Sequence, residues 1–483
     1  MVQVKPKRTV KYWVRFGIVI TGSLVIICGA LASLDPYKSA IKEKASSVVN
    51  TIEKWNRPED KFFVEQEIVL NEPFIATTEK NIYKHDEQIR LLLYGSGHVD
   101  LYVEHYDVNG SLTHTENRGL EFEGVPPVSY SSIKGVKGIP VQYRITPKNE
   151  NGWVDIEVSP SLGRKINIPV FIESSNGSNV LFVESTDTLN AYKSAYGLPT
   201  HYKRNVAPLG AYTRPLANPQ NYNILDYSHS EMIDCADHLI NADLVHKKFL
   251  NTLGVDLKAV SDNYLDSFEN IQNAKLLIFG AHNEYWTTRK AVNVIRFVGK
   301  GGSVLFLGGN TAWRIVERTK DFDLMRGDNL LDDGFEELIN QVLGSYYDMN
   351  GYKTSAPFEV DSKADDILKM LFFNNNKYAR RFGIGTDFDS CSALVIGASG
   401  QETDKLISTA SDDFKILARG RNSWWKGGAE IVYREFTSGG AVLNFGSVSL
   451  WHKLSDENIK MMLSSFISRS LMEASASSEG GHS

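Results

Sequence analysis

The sequence predicts an α/β domain built on a parallel sheet, preceded by an all-β sandwich and an N-terminal transmembrane helix. Three observations carry that prediction. From residue 179 onward, apolar runs of strand length alternate with helical patterns, the order that builds a parallel sheet with helices on its faces. Between residues 62 and 175 the apolar positions recur with period two, as in half-buried strands. Residues 16–34 contain no charge and, at ~1.5 Å per residue, match a hydrocarbon core of ~30 Å.

The chain of 483 residues is long enough for two or three domains of ~100–200 residues each. Its hydrophobic content of 42% against 23% charged residues predicts that most of it buries a core. Residues 1–15 form a basic tail with Lys5, Lys7, Arg8, Lys11 and Arg15 and no acid. Beyond the apolar run the signs mix: Asp35, Lys38, Lys42, Glu43, Lys44. This asymmetry predicts a single-pass protein of the bacterial inner (cell) membrane. Its N-terminus would lie in the cytoplasm and the bulk of the chain in the periplasm or outside the cell. Tyr12 and Trp13 suit the interface. Ala30-Leu31-Ala32 also fits a signal-peptide cleavage site, so anchor and cleaved signal both stand; either exports the rest. Cys28 follows Ile27, where a lipoprotein needs a small residue. The net charge of −6, with no basic block after the N-terminus, argues against nucleic acid as a partner.

Residues 35–60 have helical spacing, with Ala40, Ile41, Ala45, Val48, Val49 and Ile52 on one side, and predict a juxtamembrane helix. Residues 61–175 are the sandwich. Val99, Leu101 and Val103 alternate with Asp100, Tyr102 and Glu104 before the turn dipeptide Asn109-Gly110. Val154, Ile156 and Val158 alternate in the same way. Asn176-Gly177-Ser178 reads as a linker. Residues 179–470 are the α/β domain, with strand runs beginning at Val180, Leu276, Val304 and Ala441. A helix with Ala291, Val294, Ile295 and Val298 on one face lies between the second and third runs, stopped by Gly301-Gly302. Residues 471–483 are small and polar, which predicts a disordered tail.

The second run ends in His282-Asn283-Glu284-Tyr285-Trp286. Ligands of open parallel sheets bind just past the carboxyl ends of strands, so this cluster stands where such a fold puts its site. Thr188-Leu189-Asn190-Ala191-Tyr192 follows the first run. A Gly-Gly-x-Leu-x-Phe-x-Gly-Gly-Asn type segment ends at Asn310, and a glycine-punctuated stretch runs over residues 433–447. In this order the segments resemble the C-terminal domain of the N,N-dimethylformamidase large subunit, a family with a glutamine-amidotransferase-like fold. The resemblance covers about residues 179–470.

The resemblance implies hydrolysis of small amides with an iron held by two tyrosines and a glutamate. Mapped by motif, Tyr285 and Glu402 are the expected metal ligands; Glu402 lies in Gly400-Gln401-Glu402-Thr403-Asp404, similar to a family Gly-x-Glu-x-Asp stretch. His282 and Glu284 are the expected catalytic proton carriers. Tyr192, Asn310 and Trp286 are the expected substrate contacts. Three positions depart from the family: Leu189 for Trp, Lys193 for Asn and Asn283 for Asp. Gly308-Gly309-Asn310 stands where glutamine amidotransferases carry a nucleophilic cysteine, which excludes thiol chemistry at that turn.

The other signals stay two-sided. Cys235 and Cys391 are either one disulfide or two buried thiols. His229, His238 and His246 could meet only through tertiary folding. Trp424-Trp425 with Arg419 and Arg421 reads as an aromatic sugar platform or as a hairpin tip. No Walker A, Gly-x-Ser-x-Gly or His-Glu-x-x-His segment occurs. Two functions therefore compete: a membrane-anchored hydrolase of carbon–nitrogen bonds, and a non-catalytic part of a cell-envelope or exopolysaccharide system with an envelope protein or glycan as partner.

Overall fold

The computed structural model describes residues 67–69, 74–124, 129–131, 135–161, 165–174, 178–192, 207–211, 240–318, 322–329, 343–348, 351, 354–387, 395–406, 410, 412–422 and 427–479. The expected transmembrane segment 16–34 and juxtamembrane helix 35–60 lie outside them, as do Asn176 and Gly177 of the linker, Cys235, Cys391, His229, His238 and Trp424-Trp425. Among the described residues no helix is long and apolar enough to cross a membrane.

The first half is β-rich. A five-stranded sheet has the order Ile82–Lys84, Ile166–Glu173, Gly152–Pro160, Ser96–Asp107, Leu112–Glu123. A three-stranded sheet of Ile75–Thr78, Ile89–Tyr94 and Val141–Ile145 shares its core, where Val99, Leu101, Val103, Val154, Ile156 and Val158 meet Ala76, Ile89, Leu91 and Leu93. The period-two pattern thus marks the inward face of a two-sheet packing. The Asp107 carboxylate accepts the N–H of Asn109 at 2.9 Å and of Ser111 at 2.8 Å. Gly110 takes φ +73°, a conformation that costs glycine little.

The second half is mixed α/β. Its nine-stranded sheet runs Lys258–Ser261, Val180–Glu184, Leu276–Phe279, Ser303–Phe306, Ala441–Asn444, Glu430–Glu435, Lys415–Gly420, Phe358–Val360, Arg381–Phe382. The first five strands are parallel; the remaining four join antiparallel. Apolar runs mark the parallel strands because both faces are covered. The antiparallel strands carry Arg419, Glu430 and Arg434, and their mixed composition hides them from a search for apolar runs. The helix Thr288–Gly299 starts at Thr287, whose hydroxyl accepts the N–H of Lys290 at 3.0 Å. His282 therefore does not cap it. Ala291, Val294 and Val298 are buried as expected, and Gly301 turns the chain with φ +93°. The last helix spans Glu457–Glu479. Residues 471–479, expected without structure, continue it, since nothing in that segment breaks a helix already seated on the core through Ile459, Leu463, Phe466 and Ile467.

The two halves touch through side chains. Asn151 donates to the Ala259 carbonyl at 2.8 Å and accepts the Ala259 N–H at 2.9 Å. Glu173 accepts the N–H and hydroxyl of Ser261 at 2.9 and 2.6 Å.

Candidate active site at the carboxyl edge of the parallel sheet

Leu276–Phe279 and Ser303–Phe306 stay close past their last residues. Leu307 N–H donates to the Phe279 carbonyl at 3.0 Å and Gly309 N–H to the Ala281 carbonyl at 3.3 Å, and His282 bridges to Gly309. The approach needs bare backbone. A Cβ on Gly308 would lie 1.9 Å from the Ala281 oxygen, and one on Gly309 2.5 Å from the Glu402 oxygen. The glycines thus bring the 281, 309 and 402 segments to one point.

Four side chains meet there. His282 Nε2 lies 2.9 Å from Glu402 Oε2 and 3.4 Å from Glu284 Oε2. Asn310 Nδ2 donates to Glu402 Oε2 at 3.1 Å and lies 3.3 Å from His282 Nε2. Asn310 has φ +54°, uncommon for a residue with a Cβ. Asp404 holds it there: its carboxylate oxygens accept the N–H groups of Asn310 at 2.7 Å and Thr311 at 3.3 Å. Glu284 N–H donates to the Thr188 hydroxyl at 3.1 Å, and Arg314 Nε lies 3.9 Å from Glu284 Oε1. The side chains of His282 and Glu284 are 0% and 3% exposed, whereas that of Glu402 keeps 14%. The cluster therefore opens toward solvent at Glu402.

Burial alone would lower the His282 pKa, but the Glu402 charge and hydrogen bonds to Glu284 and Glu402 lift it to about 10. The imidazole is a cation at neutral pH. Burial raises Glu284, and His282 opposes that rise. Burial pushes Asp404 up to about 7, against the pull of the Thr311 and Asn310 N–H groups. Burial and then the Glu284 charge hold the Tyr285 phenol well above its ordinary range.

The structure brings together His282, Glu284, Asn310 and Glu402. The Tyr285 ring is buried beside Glu284, and among the described residues its hydroxyl makes no well-formed hydrogen bond. Trp286 is not brought to the cluster. It stacks on Phe279 at 5.1 Å in the core, and its indole N–H donates to the Asn283 carbonyl at 2.8 Å, because inward-facing apolar neighbours surround strand Tyr285–Thr287. Tyr192 ends the helix Thr186–Tyr192; its side chain lies outside the described residues. Asp404 and Arg314 escape a motif reading, although Asp404 closes the same Gly-x-Glu-x-Asp stretch as Glu402. Lys290 also escapes it: it sits on the apolar face of its helix, bonded to Asp262 and to the Asn283 amide oxygen, 4.3 Å from the Trp286 ring centre.

Residues 140–461 match the family described as N,N-dimethylformamidase beta subunit-like, C-terminal. The chain belongs to this family. The match begins at 140, so the family region takes in the strands Val141–Ile145, Gly152–Pro160 and Ile166–Glu173 of the β-rich half as well as the α/β half. No curated protein matches the chain. A solved ThuA-like protein from Bacteroides uniformis is 14% identical, with a TM-score of 0.31 over 49% of this chain and 86% of that one.

Proposed function

We propose that the chain is a hydrolase of amide carbon–nitrogen bonds, anchored in a bacterial cell membrane by residues 16–34 with its catalytic half outside the cytoplasm. The carrying observation is the buried imidazole of His282 between two carboxylates, Glu284 and Glu402, with the Asn310 amide on the same oxygen. Family membership supports the amide as substrate class, and the charge asymmetry around residues 16–34 supports the anchor.

In this reading the amide enters past Glu402. Glu284, whose affinity for protons is raised by burial, takes a proton from the attacking water as its oxygen adds to the carbonyl carbon. The His282 imidazolium gives a proton to the departing nitrogen, and the products are a carboxylate and an amine. Asn310 orients Glu402, and Asp404 orients Asn310.

Iron is implied by the family resemblance. Among the described residues no group of three or more His, Cys, Asp or Glu is arranged to hold a metal. A phenol and carboxylate set is present, however: the buried Tyr285 hydroxyl, which among the described residues makes no well-formed hydrogen bond, stands beside Glu284 in a cluster that includes Glu402. Tyr285 and Glu402 would hold the ion, which when bound would polarise a carbonyl and acidify water.

The test is amine release from a panel of small amides by the full chain in detergent, with elemental analysis of the same preparation. Glu402→Gln should lower the rate ~100-fold or more while unfolding stays cooperative. No amide cleaved by metal-replete protein would leave a binding role in an envelope assembly as the better reading, and activity unchanged in Glu402→Gln would place the chemistry outside this cluster. A reporter fusion that places the C-terminus in the cytoplasm would overturn the anchor.

A further inference from the structure

We propose that two copies of the chain pair through the strand Leu112–Glu123, antiparallel about Asn117, so that their five-stranded sheets join into one. This strand ends its sheet, and no described strand lies along its outer edge. It is 12 residues long and largely exposed. An open edge of that length carries a row of unused N–H and C=O groups, a ready template for another strand. Its inward neighbour covers only one side: the register with Ser96–Asp107 runs from Ser96 opposite Glu123 to Tyr106 opposite Leu112.

The strand is complementary to itself. A two-fold axis perpendicular to the sheet keeps each face on its own side, so only residues of equal parity can stand opposite one another. With the axis at Asn117, Glu116 faces Arg118 of the second copy and Arg118 faces Glu116. His114 faces Leu120 and Thr115 faces Gly119; a bulge at Thr113, between His114 opposite His105 and Leu112 opposite Tyr106, ends the matching stretch. No like charges meet. Moving the axis to Glu116 or to Arg118 sets identical charges face to face, which destabilises a cross-strand pair. Only the axis at Asn117 sets Glu116 opposite Arg118, so the charges on this edge favour that register of self-pairing.

Within one copy Arg118 already reaches Glu116 at 2.9 Å and the Tyr143 hydroxyl at 2.8 Å. The side chains that meet the second copy are thus held in place before it arrives, which reduces the entropy lost on pairing.

The test is the mass of the full chain by light scattering, with detergent for the N-terminal segment and its contribution subtracted. The expected value is twice the 54.0 kDa of one chain. Asn117→Lys places two ammonium groups across the axis at an exposed position, and should return the mass to one chain without lowering the melting temperature. Asn117→Cys should cross-link under oxidation, whereas Thr115→Cys, which faces Gly119, should not. A single-chain mass for the unaltered protein would overturn the pairing. So would a dimer that survives Asn117→Lys, or equal cross-linking at 115 and 117, because that dimer would use another surface.

Discussion

Two buried polar clusters share the turn that follows Leu276–Phe279, and they are put together differently. In the first, the Lys290 ammonium meets the Asp262 carboxylate and the neutral Asn283 amide, while the second Asp262 oxygen accepts the Asp187 N–H at 2.8 Å. Lys290 and Asp262 are both 0% exposed. In the second, one imidazole stands between two carboxylates, and Glu402 reaches solvent. The first cluster is sealed, with the charges of Asp262, Asp187 and Asp266 all acting on the Lys290 ammonium. The second, where Arg314 also stands near Glu284, is open to solvent at Glu402. A sealed cluster fixes backbone; a titratable cluster with an opening is where protons or a cation are handled. The difference separates scaffold from site along a few consecutive residues, Asn283 belonging to one and His282 and Glu284 to the other.

The largest break should come in the sealed cluster. Lys290→Met leaves the Asp262 carboxylate buried without its cation and should cost about 3–5 kcal/mol of unfolding free energy, measured by urea denaturation. Trp286 would lose the ammonium held over its ring, so its fluorescence should shift in the folded state. A loss below about 1 kcal/mol, the size of an ordinary hydrogen bond, would show that the cluster is not a brace.

This cluster also marks what the amino-acid sequence reveals and what it hides. The parallel strands are legible at Leu276 and Val304 because burial on both faces demands uninterrupted apolar runs. His282, Glu284 and Asn310 are legible because they follow directly on those strands, where the fold gathers ligands. Asp404 and Lys290 are not. Asp404 reaches Asn310 across 94 positions of chain, and Lys290 looks like a solvated residue until Asp262 and Asn283 arrive beside it. Trp286 misleads for the opposite reason: its position in a motif suggests a ligand, but its size and its apolar neighbours place it in the core. The antiparallel half of the large sheet hides behind ion pairs such as Arg419 with Glu430.

Asn283→Asp restores the residue usual in the family and sharpens the same comparison. Asn283 donates to the Ser185 hydroxyl at 3.2 Å and accepts from Lys290. An aspartate loses the donor and sets a second carboxylate beside Asp262 within reach of one ammonium. The expected cost is about 1–3 kcal/mol at neutral pH, shrinking in acid as the new carboxyl takes up a proton. A gain in stability would mean that Lys290 has charge to spare for a second carboxylate.

Histidines differ between regions in the same sense, and pH reads the difference. His246 is buried with neither ring nitrogen hydrogen-bonded among the described residues, and burial lowers it to about 3. It is neutral in the folded state, so between about 6.5 and about 3 the unfolded chain binds the extra proton. Its contribution is lost as pH falls through that window. His282 is raised to about 10. Its contribution is complete below about 6.5 and is lost as pH rises through about 10. Unfolding free energies across pH should therefore flatten on the acid side in His246→Leu and on the alkaline side in His282→Gln. The reverse assignment, or identical profiles, would break the contrast.

The smallest effect tests the boundary between the clusters. Tyr285 lies between His282 and Lys290 in the chain, its ring is buried, and its hydroxyl stands beside Glu284 with no well-formed hydrogen bond among the described residues. Tyr285→Phe removes one oxygen and keeps the packing, so stability should change by no more than about 1 kcal/mol. The informative reading is metal content and not stability. If the phenol is a ligand in the opening cluster, the variant should lose bound iron, and with it any phenolate-to-iron absorption band, while its melting temperature stays close to that of the parent. If the phenol belongs to the scaffold, iron content and absorption should not change. A drop of several kcal/mol with no change in metal would assign Tyr285 to the brace and move the edge of the site to Glu284.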